Sequence, residues 1–177
     1  MMAVHFATLA RYNRWANALL YATCEEAGEE VWRSEVGAFY GSVLATLNHL
    51  LVMDRLWLGR VAGRDYGFRK LDEIVHDDLA ALTGAREEFD EAIVAAVDAL
   101  TDADFATEVE YVITGGGTAR EPRWLLLANL FNHQTHHRGQ ITDMLTRAGH
   151  ETPSLDLIAF WRAVGGQGAV GSMAELR

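Results

Sequence analysis

The sequence predicts an all-α protein, built as a four-helix bundle with a long crossover between the second and third helices. A short β-hairpin is expected between the third and fourth helices, and a short helix at the C-terminus. Four long stretches repeat apolar side chains at helical spacing, whereas one strand-like piece alternates in polarity before three consecutive glycines. Without an internal repeat or interdomain linker, one domain is predicted over residues 1–164, followed by a flexible tail over 165–177.

The first two helices are predicted over residues 5–26 and 42–61. Phe6 and Leu9 begin the apolar stripe of the first helix. The second helix is apolar around nearly its whole circumference, which is typical of a helix at the centre of a domain. Glycines then break the pattern, so residues 62–69 are predicted to form the crossover.

The third helix is predicted over residues 72–100, with Asp72 as its N-cap. Residues 105–114 are strand-like because Val, Tyr and Ile alternate there with other side chains, and residues 118–121 form the return strand of a hairpin.

The last two helices are bounded by capping residues. Pro122 suits the first turn of a helix over residues 122–148, and Gly149 suits its C-terminal end. Ser154 is the expected N-cap of a short fifth helix over residues 155–164.

Charge and cysteine content argue against several classes of protein. The formal net charge is -10 and Lys70 is the one lysine, which disfavours binding to nucleic acid or to anionic membranes. A single cysteine, Cys24, excludes an internal disulfide and a cysteine-based zinc finger, and it is interpreted as a small core residue. Because neither a signal peptide nor a long uncharged apolar window is found, a cytoplasmic protein is expected.

Two histidines four residues apart, His133 and His137, form the most informative pattern in the chain. On a helix they lie roughly 40° apart, on a face that also carries leucines and therefore points inward. Histidines at this spacing can chelate one metal ion. His136 is turned roughly 60° to the other side of His133, so we expect it at the rim of the site, behind a ligand or at an interface.

His49 is the predicted third ligand, since it lies on an apolar face of the second helix. A buried imidazole needs a partner, and a metal ion would satisfy His49, His133 and His137 at once. Three neutral imidazoles leave a coordination position open, which is the catalytic arrangement for Zn²⁺. Imidazole also suits Ni²⁺, Cu²⁺ and Fe²⁺, so the residues alone do not fix the metal.

Other motifs for chemistry are incomplete. A ferritin-like di-iron centre needs two Glu-x-x-His pairs, whereas only Glu73 and His76 have that spacing. The His-Glu-x-x-His protease motif is absent, and the three glycines at 115–117 lack the Lys-Ser/Thr ending of a phosphate loop.

The sequence resembles the DinB/YfiT-like superfamily of metalloenzymes over residues 5–162. The most specific match is the run from His133 to Ile141, His-Gln-Thr-His-His-Arg-Gly-Gln-Ile. The run Tyr-Asn-Arg-Trp-Ala-Asn at 12–17 is similar to the opening helix of that family, Asn-His-Leu-Leu at 48–51 to its second-helix histidine, and residues 152–160 to its closing segment.

The resemblance implies a four-helix bundle with metal ligands His49, His133 and His137, commonly with Zn or Ni, and often a homodimer. Relatives include thiol-dependent S-transferases, a thiol-dependent isomerase and metal-dependent hydrolases. The leading interpretation is therefore a metal-dependent enzyme that activates a water or small thiol, such as a low-molecular-weight thiol, on a small-molecule substrate. The alternative is a non-catalytic, metal-stabilised dimeric bundle that binds or senses a small ligand.

Three further residues are candidates for supporting roles. Arg138 either neutralises a substrate carboxylate or forms a structural ion pair. Asn13 and Asp156 either orient a ligand imidazole or serve in interhelical hydrogen bonding and helix capping. No general base or thiol-binding residue can be named from the sequence.

Overall fold

A computed structural model describes residues 1–64 and 70–165, and within them the chain is mostly helical. The elements in chain order are α1 (Met2–Ala27), α2 (Glu29–Arg33), α3 (Val43–Ala62), α4 (Leu79–Asp98), α5 (Asp102–Ala106), β1 (Glu108–Val112), β2 (Thr118–Pro122), α6 (Arg123–Arg147) and α7 (Leu157–Ala163). The strands β1 and β2 pair antiparallel, with Tyr111 opposite Ala119. A mostly helical protein with one small hairpin and a short C-terminal helix is therefore confirmed.

The four long helices enclose the apolar core. The two most extensive pairings are α1 on α4 and α3 on α6, and further contacts join α1 to α6 and α3 to α4. Leu47, Leu51 and Leu58 of α3 are fully buried, which agrees with the prediction of a central second helix. The packing of α3 on α6 brings together the two segments that carry the predicted histidine ligands.

The predicted start of the third helix is wrong. Residue Asp72 does not cap it; α4 begins at Leu79, where the Asp78 carboxylate accepts a hydrogen bond from the Ala81 backbone N–H (2.8 Å). The backbone N–H groups of Val75 and His76 donate instead to the side-chain oxygen of Asn48 (2.9 and 3.0 Å). This buried amide on α3 holds the segment before α4 against the core and outside the helix.

Two short helices were not expected. Helix α2 follows Gly28, whose φ of 87° ends α1 in a backbone conformation that favours glycine. Helix α5 follows Thr101, which was expected to end the preceding helix. Instead, the Thr101 hydroxyl and backbone N–H both donate to the Asp104 carboxylate, which closes a capping box.

The remaining boundaries move by a few residues. The β-hairpin is confirmed, but its first strand is shorter than predicted, in part because residues 105 and 106 belong to α5, and its return strand extends one residue further, to Pro122. Pro122 occupies the N-cap position of α6 rather than its first turn. Helix α7 begins after Asp156 rather than Ser154, and Leu155 stays outside it while its carbonyl oxygen accepts from the Tyr12 hydroxyl (2.7 Å).

Two predictions fall largely on parts of the chain that the structure does not describe. Residues 65–69 of the expected crossover over 62–69, and residues 166–177 of the expected tail over 165–177, lie outside the described residues. Among the helices that are described, none combines the length and the hydrophobicity needed to cross a lipid bilayer.

Candidate metal centre

Three histidines from two helices converge at one point of the helical core. The Nε2 atoms of His133 and His137, both on α6, are 3.1 Å apart, and the Nε2 atoms of His49 on α3 and His133 are 3.3 Å apart. All three candidate ligand atoms lie within 4.8 Å of one another. His49 and His137 are buried and His133 is half-buried. This set, which we call the histidine cluster, comprises the residues that the sequence predicted as ligands.

The other ring nitrogen of two of these histidines is held by an acceptor. His49 donates from Nδ1 to the carbonyl oxygen of Leu71 (2.8 Å), and His137 donates from Nδ1 to Oε1 of Gln140 (2.7 Å). Each bond fixes the tautomer so that the Nε2 lone pair faces the cluster, which is the arrangement required of a metal ligand. The Nδ1 atom of His133 is buried and has no hydrogen-bond partner among the described residues.

The cluster keeps its imidazoles neutral. Burial lowers the pKa of His133 to about 3, and the neighbouring imidazoles lower it in the same direction. Burial also lowers the pKa of His137 to about 4, against the hydrogen bond to Gln140, which raises it. The pKa of His49 is lowered by burial as well. All three side chains are therefore unprotonated at neutral pH, which is the form that binds a metal ion.

The geometry and the donor set both fit a divalent transition-metal ion. With zinc–nitrogen distances of about 2.0–2.1 Å in a tetrahedral site, ligand nitrogens stand roughly 3.3–3.4 Å apart. The two observed separations of 3.1 and 3.3 Å are close to that value. Three imidazole nitrogens suit Zn²⁺ and Ni²⁺ and do not suit Ca²⁺ or Mg²⁺, which take oxygen ligands.

Comparison with known proteins identifies the family of this chain. The sequence model of the DinB family matches residues 2–167. The chain belongs to the DinB family. It is 24% identical over 164 residues to Protein DinB of Bacillus subtilis (strain 168), a match that covers 84% of this chain and 88% of that protein.

A solved DinB-like structure has the same fold. This DinB-family chain superposes on a DinB-like protein from Bacillus cereus ATCC 10987 with a TM-score of 0.62 and 23% identity, over 81% of this chain and 91% of the other. The structural likeness therefore extends across most of both chains.

Tyr40, which sequence reasoning missed, contacts the cluster directly. Its hydroxyl lies 2.8 Å from Nε2 of His49, and its ring stacks on the His49 ring with centroids 4.0 Å apart. Tyr40 stands in the connection before α3, where no periodic pattern marks a site residue. Gln140 was also missed as a partner, although its i+3 spacing from His137 places it within reach on the same helix.

His136 lies beside the cluster and outside its convergent nitrogens. The side chain is exposed, its Nε2 accepts from the Gln140 amide at 3.2 Å, and its ring centroid is 4.8 Å from that of His137. The single amide of Gln140 thus joins an exposed histidine to a buried one, which places His136 at the rim.

The structure separates the other candidate residues of this DinB-family protein from the cluster. Asp156 is exposed at the start of α7, where its carboxylate accepts from the Ser154 hydroxyl (3.1 Å). The Asn13 side chain donates to Asp90 (3.1 Å) and accepts from Arg138. Among the hydrogen bonds of the described residues, neither Asn13 nor Asp156 reaches a cluster imidazole.

Arg138 is fully buried and is bound by neutral side chains. Its guanidinium donates to the side-chain oxygens of Asn13, Asn17 and Gln134, and to the Thr135 hydroxyl. These hydrogen bonds connect the two asparagines of α1 to the histidine-rich segment of α6. Arg138 therefore orients the helix that carries two of the three imidazoles.

The partners of Arg138 extend into a larger set of buried polar groups. Arg86 pairs with Asp54 (2.7 Å) and Asp90 (3.0 Å), and each of these three side chains is at most 3% exposed. Gln134 donates to Asp54, and Asn13 and Asn17 donate to Asp90. Burial raises the pKa of Asp54, while the Arg86 guanidinium opposes that shift. We call the set the charge network; its members are Asn13, Asn17, Asp54, Arg86, Asp90, Gln134 and Arg138.

Cys24 does not contribute to the site. Its side chain is fully buried in the apolar core, and burial raises the pKa of the thiol to about 12. The thiol is therefore un-ionised at neutral pH, in agreement with its interpretation as a small core residue.

Proposed function

We propose that this protein is a divalent-metal-dependent enzyme in which His49, His133 and His137 hold the ion. The observation that carries the proposal is the convergence of three Nε2 atoms, with separations of 3.1 and 3.3 Å from His133 to the other two. Two of the imidazoles are oriented by acceptors on their far nitrogen, which is how metal-binding histidines are usually fixed. Zn or Ni is the ion we expect, because the donor set consists of imidazole nitrogen alone.

The reaction we propose is attack by a water or a small thiol on a small electrophilic substrate. A bound ion would lower the pKa of a water or thiol at its open position and hold it in place. The ligands add no negative charge, so the ion keeps its full positive charge for that purpose. Leu71 and Gln140 hold two of the rings in orientation, and the helical core excludes water from the buried side of the cluster.

Transfer of a low-molecular-weight thiol is the leading version, and it rests on family membership. The proposal also includes a homodimer and a cytoplasmic location. For the fold we propose a four-helix bundle of α1, α3, α4 and α6 with a crossover between the second and third, as a single domain over residues 1–164. The pairing of α1 with α4 and of α3 with α6 supports that topology.

Metal analysis tests the site. Untagged protein is expected to contain about one equivalent of Zn or Ni, and the double substitution His133→Ala with His137→Ala is expected to abolish retention of the metal. His5→Ala, at an exposed histidine of α1, is the matched control and keeps the wild-type content. Unchanged metal content in the double variant would contradict the assignment of ligands.

A screen of the metal-loaded protein against small thiols and electrophiles tests the reaction. Turnover that disappears in the double variant and persists in His5→Ala would support an enzyme. Retained metal without turnover of any substrate class would favour a non-catalytic, metal-stabilised dimer that binds a small ligand.

A further inference from the structure

The hydroxyl of Tyr40 occupies the side of the histidine cluster on which the ligand nitrogens converge. It is 2.8 Å from Nε2 of His49. The Nε2 atoms of the cluster themselves stand 3.1 and 3.3 Å apart. The Tyr40 oxygen is thus at least as close to the Nε2 atom of His49 as the Nε2 atom of His133 is to those of His49 and His137.

The direction of this hydrogen bond follows from the partner on the opposite side of the ring. His49 donates from Nδ1 to the Leu71 carbonyl, so its Nε2 carries a lone pair and Tyr40 is the donor. A metal ion on His49 would take that same lone pair. The Tyr40 hydroxyl would then need another acceptor in the same place.

We propose that Tyr40 is a positioning residue whose hydroxyl donates a hydrogen bond to the water or thiol at the open coordination position. This inference rests on the proposed metal site. The fixed tautomers of His49 and His137 turn lone pairs towards the centre of the cluster, so these rings offer no N–H to a bound ligand. Among the described residues, Tyr40 is the side chain that brings an O–H donor to that point.

The ring of Tyr40 is held in place independently of its hydroxyl. It stacks on His49 at an interplanar angle of 23° and meets the edge of His137, with centroids 5.5 Å apart. Phe39 makes an edge-on contact with the Tyr40 ring, with centroids 4.9 Å apart. These contacts survive loss of the oxygen, so the change Tyr40→Phe removes the donor and leaves the ring where it is.

Tyr40 also forms part of the wall of a cavity of about 550 Å³. Phe39, Asp72 and Ile74 line the same cavity. The tyrosine therefore stands between this cavity and the imidazoles.

Cobalt substitution tests the proposal without measuring turnover. Wild-type protein, Tyr40→Phe and Tyr111→Phe are loaded with Co²⁺, and binding of Co²⁺ and then of azide is followed in the visible spectrum. Tyr111 is the matched control because its hydroxyl donates to Glu121 on the hairpin, away from the cluster. Thermal unfolding of each variant checks that it is folded.

We expect Tyr40→Phe to bind Co²⁺ at least as tightly as the wild type, because the hydroxyl no longer competes for His49. Azide affinity is expected to fall about tenfold, the effect of losing one hydrogen bond to an anion. Tyr111→Phe is expected to match the wild type in both titrations. Azide affinity within twofold of the wild type in Tyr40→Phe would overturn the proposal.

A lower Co²⁺ affinity of Tyr40→Phe would also overturn the proposal, for a different reason. A loss of Co²⁺ affinity of tenfold or more in Tyr40→Phe would make the tyrosine a direct ligand and not a donor. Failure of the wild type itself to take up Co²⁺ would reject the proposed metal site, and that outcome is separate from either result for Tyr40.

Discussion

Helix α6 contributes to two buried polar clusters that differ in the charge of their side chains. Gln134 and Arg138 join the charge network, whereas His133 and His137, roughly 100° away around the helix, join the histidine cluster. In the charge network the two carboxylates and both guanidinium groups have ionic or amide partners. In the histidine cluster, the Nε2 atom of His133 lies 3.1 Å from that of His137 and 3.3 Å from that of His49, and all three imidazoles are neutral.

This difference distinguishes a structural role from a binding role. Buried ions are tolerated when their partners are present, and removing one partner is costly. Neutral imidazoles carry no charge that a buried partner must balance, and their ring nitrogens are the atoms that bind a metal ion. The charge network contains its own cations and anions, whereas the histidine cluster contains neutral nitrogens that an added ion would bind. Three predictions separate the two, in order of decreasing effect.

The largest effect is expected in the charge network. Arg86→Met leaves the carboxylates of Asp54 and Asp90 buried without their cation, and should lower the free energy of unfolding by roughly 3–5 kcal/mol. Urea denaturation measures this loss, and it should be the same with and without a chelator because the network binds no metal.

Arg147→Met is the control for that substitution. Arg147 forms an exposed pair with Asp143 at 2.9 Å, one turn apart on α6. Its removal should cost less than about 1 kcal/mol. If Arg86→Met were as stable as Arg147→Met, the charge network would not hold the helices together.

An intermediate effect is expected in the histidine cluster, where it concerns how the stability of the metal-free protein depends on pH. The pKa values of about 3 for His133 and about 4 for His137 lie below the ordinary 6.5 that applies to the unfolded chain. Between pH 6.5 and about 3 the unfolded chain therefore binds protons that the folded chain does not. The stability of the metal-free protein should fall as the pH drops through this range, and it should be unaffected by these groups above pH 7.

Urea midpoints measured in chelator from pH 7.5 to pH 4.5 check this slope. The double substitution His133→Gln with His137→Gln removes both groups and should flatten the dependence. His5→Gln, at an exposed position, should retain the wild-type slope. Identical slopes in all three proteins would show that the cluster does not exclude protons.

The smallest effect is expected for Gln140, which is the hydrogen-bond partner of the proposed metal ligand His137. Gln140→Ala removes the acceptor of the His137 Nδ1 proton, and should weaken binding of Zn²⁺ about tenfold in competition with a chelating dye. His136→Ala, at the other end of the same amide, should change the affinity less than twofold. Equal affinities of the two variants would mean that the orientation of His137 does not depend on Gln140.

The sequence predicted the part of the site that depends on local geometry. The spacing of His133 and His137 determines a common helix face wherever α6 lies, and the apolar surroundings of His49 predicted that it too faces inward. Tyr40 and the carbonyl of Leu71 could not be found in this way, since both stand in connections whose path depends on tertiary contacts. In addition, every residue has a backbone carbonyl, so the sequence does not indicate which one accepts a hydrogen bond from a histidine.

The same limit explains the errors in the fold and in the charge network. Asp72 and Asp78 are equally good caps by composition, and the buried Asn48 amide decides between them by holding Val75 and His76 outside the helix. Likewise, Asp54 and Arg86 meet only when α3 and α4 take one particular register. Pattern and spacing describe a single helix, whereas these contacts need the relative placement of two.

The ligands of the histidine cluster come from distant parts of the chain. His49 and His133 are separated by 84 positions. An ion held by both would act as a reversible cross-link that closes a long loop, and the isolated α6 segment would offer only a two-point chelate. Binding of the third imidazole would thus be linked to folding of the whole core, and saturating metal would raise the melting temperature by mass action. Withdrawal of the metal would remove this cross-link between α3 and α6.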